Sequence, residues 1–184
     1  MEKVLLITGD AAESLEVLYP YQRLIEEGYD VHMAAPAARK LQFVIHEFVK
    51  GFDTYAEKPG YAFPADMAFE DVNPADYIAL VVPGGRAPEY LRNNEECLRI
   101  VRHFVEADKP IAHLCHGPLI MAAAGALDGR RASAYPALAP DIRAAGAEFV
   151  DTEALVDGLQ VSGRSWADNP PWMREFIRIL RSRR

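Results

Sequence analysis

Cysteine is scarce in this sequence: 184 residues contain two, Cys97 and Cys115. Two cysteines cannot build a disulfide scaffold, and free thiols fit a reducing compartment. Positive charge is also short. Lys and Arg number 20 against 27 Asp and Glu, a net charge of −7. That balance leaves no broad basic surface for phosphates and argues against nucleic acid as a partner. The one basic run, RSRR at positions 181–184, suits the C-terminal dipole of a helix. No apolar run reaches the roughly 20 residues a membrane span needs. A strand-like run begins by Lys3, which leaves no room for a signal peptide, so a cytoplasmic location is expected. Repeats and low-complexity tracts are missing. So is paired ligand spacing among the histidines: His32, His46, His103 and His113 read as core or surface residues, and no metal site is expected.

What is present describes a globular domain. Half the residues are hydrophobic and 26% are charged, and the length suits one domain over residues 1–184. Residues 4–8 (VLLIT) read as a buried strand, and residues 14–27 as an amphipathic helix with Leu15, Leu18, Tyr19, Leu24 and Ile25 as its apolar set. Pro20 lies inside that helix and Gly28 stops it. A second strand follows at residues 30–35. Residues 41–61 fit neither period and read as an excursion of hairpin or irregular structure. Strands at 77–82 and 110–114 alternate with helices at 95–107 and 117–124. A short strand at 132–135, a helix at 140–145, a hairpin about Asp157-Gly158 and a closing helix at 172–183 complete the chain. This alternation predicts an α/β fold: a doubly wound, mostly parallel sheet sandwiched by helices, flavodoxin-like.

In such a sheet, ligands bind beyond the carboxyl ends of the strands. The first strand delivers residues 9–13 there, the third residues 83–89, and the fourth Cys115 and His116. The stretch PIAHLCHGP sets Cys115 between an apolar strand and a Gly-Pro that can open a helix. A thiol at a helix N-terminus meets unpaired N–H groups that favour thiolate, the reactive form. A buried inert cysteine is the alternative. His116 follows directly, so its side chain is expected to point away from the thiol, while its backbone N–H is placed as an oxyanion donor. Gly84-Gly85 reads as a turn, or as a place where an amide comes close to substrate. Glu13 reads as a helix-start acid with Glu16 as its competitor, and Glu89 as a loop acid. Cys97 lies within a helix and reads as structural.

The segments TGDAAESLEVLYPYQRLIEEG, VNPADYIALVVPGGRAPEYLRNNE, KPIAHLCHGP and VDGLQVSGR resemble the ThiJ/PfpI family, part of the DJ-one superfamily of glutamine-amidotransferase-like α/β proteins. The resemblance spans nearly the whole chain. It implies that Cys115 is an elbow nucleophile and that Glu13, rather than Glu16, is the acid in contact with its sulfur. It implies that Gly85 and His116 supply oxyanion N–H groups and that the loop of residues 9–13 lies above the thiol. Glu89 matches an acid that, in the PfpI-like branch, orients the histidine across a subunit contact. A homo-oligomer, dimer to hexamer, is therefore expected. His113 stands where relatives often carry a small residue. The segment IHEFVKGFDTY is similar to a plant-type branch with glutathione-independent glyoxalase activity.

The resemblance implies a cofactor-independent, glyoxalase III-like or deglycase-like enzyme acting on small dicarbonyls such as methylglyoxal. The alternatives are a cysteine peptidase or amidase using Cys115, His116 and Glu89 on an acyl substrate, and a redox-sensing or chaperone-like protein.

Overall fold

The computed structural model describes residues 1–183. Its centre is a seven-stranded sheet ordered β10-β11-β7-β6-β1-β2-β5. The four middle strands are β1 (Lys3–Ile7), β2 (Asp30–Ala35), β6 (Ala79–Val82) and β7 (Ile111–Leu114). They pair in parallel, as does β11 (Gln160–Gly163) with β7. At one edge β10 (Leu155–Asp157) runs antiparallel to β11. At the other, the two-residue β5 (Met67–Ala68) pairs with β2. β6 and β7 are buried along their whole length, because helices cover both faces of the sheet.

The helices are α1 (Ser14–Glu26), α2 (Ala87–Leu91), α3 (Glu95–Glu106), α4 (Pro118–Ala123), α5 (Ala139–Ala144) and α6 (Asn169–Ser182). The doubly wound sandwich is thus as expected. Element ends move by a few residues, and the short α2 and β5 have no clear signal in the sequence. The expected strand at 132–135 shrinks to β8 (Arg131–Ala132), which pairs with β9 (Glu148–Phe149) in a small separate sheet.

One face assignment changes. Leu15 and Ile25 are about half exposed. The buried side of α1 instead carries Ser14, Glu16, Val17, Pro20 and Leu24. Positions 16, 20 and 24 stack one turn apart, so the acid Glu16 shares the core-facing stripe with a proline and a leucine.

The excursion at 41–61 is a hairpin of β3 (Lys40–Phe48) and β4 (Tyr55–Pro64), with a register irregularity between Gln42 and Val44. It leans on the loop after β1: the Val44 amide donates to the Ala12 carbonyl at 2.8 Å, and Glu13 bridges to Val44. The periods fail in the sequence because Leu41, Phe43 and Val44 are buried while the opposing strand is mostly exposed.

Candidate active site

The chain turns sharply after β7. Cys115 takes φ +58°, left-handed space that a non-glycine residue seldom occupies. The turn is held on three sides. The Cys115 amide donates to the Gly163 carbonyl at 3.2 Å, its carbonyl accepts from Tyr135 at 3.0 Å, and the Gly117 amide donates to Leu114 at 2.8 Å. A fixed strand-to-helix elbow with a cysteine at its apex is the arrangement expected from PIAHLCHGP. Backbone strain of this kind persists only where surrounding contacts over-determine it.

Two amides converge on the sulfur, those of Gly85 and His116. Gly85 reaches this position with φ +78°, and a Cβ there would collide with the backbone of Ala11, Ala12 and Glu13. A Cβ on Gly84 would lie 2.6 Å from the Cys115 Cβ and 2.5 Å from a Glu16 oxygen. The glycine pair is therefore what lets the loop after β6 approach the thiol. The loop of residues 9–13 packs onto Gly85 through the bridge between Ala12 and Gly85.

The acid at the sulfur is Glu16, which corrects the expectation for Glu13. Glu16 is fully buried and its carboxyl interacts with the Cys115 thiol. Oε2 accepts the Gly84 amide at 3.0 Å. The Trp166 amide also bears on this carboxyl. Glu13 is also buried, but its carboxylate turns back to cap α1, accepting the Glu16 amide at 2.9 Å. The reason is positional. A residue at the helix N-cap satisfies orphan N–H groups, whereas one three places on, on the apolar stripe, points into the core. The signal for Glu16 in the sequence is a lone acid in register with Pro20 and Leu24, masked by the more apolar set of Leu15 and Ile25.

The electrostatics also depart from expectation. Cys115 is 4% exposed, and its thiol is pushed well above its usual range, first by burial and then by the Glu16 charge. The two amides act the other way but do not prevail. Glu16 is pushed up to about 8, by burial and then by the charge of Glu13. Both groups resist ionisation, so at neutral pH they hold one proton more than isolated groups would, and they titrate as a pair.

His116 does not point away. Its Nδ1 lies 3.2 Å from the Cys115 sulfur, because the turn at φ +58° swings the adjacent side chains together. The imidazole stacks on Tyr135 with centroids 5.2 Å apart and 20° between planes. Burial lowers its pKa to about 4, so the ring is neutral at pH 7. Glu89 lies on α2 and is exposed. Among the charges that bear on His116 are those of His46 and Asp141, and the Glu89 charge bears on Tyr55 beside the imidazole.

Cys97 is buried in α3 and pushed up to about 12 by burial alone. His113 is buried in β7 behind the elbow, with Nδ1 unpaired and a pKa of about 4 caused by burial. No group of three metal-binding side chains occurs among the described residues, and no described helix is long and apolar enough to cross a membrane. What the sequence did not reveal is the aromatic wall: Tyr55 from the hairpin meets His116 edge-on at 5.9 Å and Tyr135 at 5.5 Å.

The chain is 44% identical over 179 residues to a protein of Pyrococcus horikoshii named a deglycase, covering 97% of this chain and 99% of that one. It is 32% identical over 180 residues to a protein/nucleic acid deglycase of Escherichia coli, covering 97% and 98%. Among solved structures, it superposes with a TM-score of 0.86 on a protein of Anabaena variabilis with DJ-1/ThiJ/PfpI-like and ferritin-like domains. That pair is 25% identical and covers 98% of this chain and 48% of the other. The pattern of the DJ-1/PfpI family matches residues 2–179. With an end-to-end match of that extent on the fold and elbow described above, the chain belongs to the DJ-1/PfpI family.

Proposed function

We propose that this chain is a cofactor-independent, glyoxalase III-like enzyme with deglycase-like activity, converting methylglyoxal or glyoxal to a hydroxy acid through Cys115. The observation that carries the reading is the buried Cys115–Glu16 pair beneath two converging amides. Deglycase names on the Pyrococcus and Escherichia relatives support the same class.

The chemistry balances without an external oxidant. In the ionised fraction of Glu16, the sulfur adds to the aldehyde carbon of methylglyoxal while the carboxylate relays the thiol proton to the aldehyde oxygen, giving a hemithioacetal. The amides of Gly85 and His116 hold that oxygen as charge develops. Glu16, again a carboxylate, takes the proton from the former aldehyde carbon, and the freed electron pair forms an enediol. Returning the proton to the neighbouring carbon gives a lactyl thioester on Cys115. Water, deprotonated by neutral His116, releases lactate and restores the thiol. One water enters and one lactate leaves. A carboxyl with a pKa near 8 suits a group that must both give and take a proton at neutral pH. On a glycated amine in its hemiaminal form, the sulfur displaces the amine, which leaves with the thiol proton, and the same hemithioacetal then follows the same proton shift.

The second reading, a cysteine peptidase or amidase, is favoured by the 3.2 Å separation of sulfur and imidazole. It needs an acid to orient His116, for which Glu89 of a second subunit is the candidate. We therefore extend the proposal to a homo-oligomer, dimer to hexamer, with Glu89 acting in trans. Light scattering is expected to give a multiple of 20.5 kDa, with activity falling on dilution. A fully active monomer would refute the trans role. The test of the leading reading is lactate production from methylglyoxal without glutathione, set against release of amine from an acyl-amide substrate. Amide cleavage without lactate formation would select the hydrolase.

A further inference from the structure

The β3–β4 hairpin does more than fill space beside the elbow. Glu57 on β4 takes a bidentate grip from Arg86, with Nε at 2.6 Å and a second guanidinium nitrogen at 2.8 Å. Arg86 immediately follows Gly85, whose amide faces the sulfur, and the Arg86 amide donates to the Ala11 carbonyl at 2.8 Å. The same Glu57 oxygen that meets Nε lies 2.9 Å from Nε2 of the buried His46 on β3. His46 in turn stacks on Tyr55 at 4.2 Å. One carboxylate thus ties both hairpin strands to the loop bearing an amide at the sulfur. Bidentate pairs of this kind fix orientation as well as distance.

What the latch presents to the site is Tyr55. Its ring stands edge-on to His116 at 86° and edge-on to Tyr135 at 76°, closing an aromatic corner around the imidazole. Phe48, at the end of β3, stacks outside Tyr135 at 6.5 Å. Tyr55 is half-buried, and its hydroxyl is pushed up to about 12, by burial first and then by the Cys115 charge, so it remains a neutral phenol near the thiol.

We propose that Tyr55, held by the Arg86–Glu57–His46 latch, is a specificity-determining residue: it roofs the Cys115–His116 pair and admits small carbonyl carbons while excluding branched or aromatic ones. This deepens the glyoxalase-like reading and rests on it for the substrate class, but the roof is testable through the thiol alone. An edge-on phenol packed on both His116 and Tyr135 stands where a bulky substituent beside the reacting carbon would have to pass, whereas a two- or three-carbon dicarbonyl carries no such group. The latch supplies the rigidity without which the roof would open for any reagent.

The experiment compares alkylation of Cys115 by iodoacetamide and by N-phenylmaleimide, in a Cys97→Ala background that leaves one thiol. Alongside it, kcat/KM is measured for methylglyoxal and phenylglyoxal. Tyr55→Ala is expected to raise the phenylmaleimide-to-iodoacetamide rate ratio at least tenfold and to shift the substrate ratio toward phenylglyoxal. Tyr55→Phe, which keeps the ring, should leave the reagent ratio unchanged. Glu57→Gln, which weakens the grip on Arg86, should raise it by an intermediate factor with unchanged circular dichroism. A reagent ratio that does not move in Tyr55→Ala overturns the roof. If the ratio moves as expected but no variant forms lactate, the roof stands and the glyoxalase-like reading falls.

Discussion

Cys97 and Cys115 are both buried, both reduced, and both pushed above the usual thiol range, yet they sit in opposite kinds of surroundings. Around Cys97 only burial acts. It lies near the start of α3, where its amide is capped by Asn94 at 2.9 Å, and its side chain packs among apolar residues. Around Cys115 stand a carboxyl, two amides and an imidazole, on a backbone held at φ +58°. A high thiol pKa is therefore common to both cysteines, and the proposed division into an inert and a reactive one rests on the neighbours that Cys115 has for its proton and Cys97 lacks.

Breaking the comparison at its strong end gives the largest effect. Cys115→Ala should abolish lactate formation while the chain keeps its fold, since the elbow is held by backbone hydrogen bonds that alanine retains. Residual turnover in that variant would remove the nucleophile assignment. Glu16→Gln comes next, with an expected loss of about 10²-fold or more in kcat, the usual scale for a general acid–base group. Glu13→Gln is its control. The amide oxygen can still cap α1, so activity should stay within a few-fold of the parent. Equal losses in the two variants would restore Glu13 as a partner in proton transfer.

The pair also predicts a pH dependence of stability. The Glu16 carboxyl ordinarily titrates at 4.5 and here near 8, so the folded state holds its proton more tightly than the unfolded chain. Its favourable contribution is complete below pH 4.5 and is lost as pH rises through about 8. Urea midpoints should fall between pH 5 and 9 in the parent and fall much less in Glu16→Gln. Parallel slopes would show that the carboxyl is not the buried acid it is taken to be. The smallest effect is at the other cysteine. Cys97→Ala should cost about 1 kcal/mol for a small loss of buried volume and leave turnover unchanged. A clear loss of activity there would erase the contrast between the two thiols.

The layers are legible along the chain, because hydrophobic period and glycine–proline punctuation are local properties. Alternating apolar runs and amphipathic stretches required a parallel sheet between helices, and a cysteine closing an apolar strand ahead of Gly117-Pro118 required an elbow. The motifs that resemble the ThiJ/PfpI family carried the rest of that assignment. Tertiary structure alone decided which acid serves the sulfur. Glu13 and Glu16 differ by less than one helical turn, and only the seating of α1 on the sheet turns the second inward and the first onto the helix end. It alone decided that His116 swings toward Cys115, since that depends on one left-handed residue that the letters Cys-His do not announce. It also decided that residues 41–61 form a hairpin carrying Tyr55 and Glu57 to the elbow. Contacts between Glu57 and Arg86, 29 positions apart, come from how the chain packs and not from any period along it.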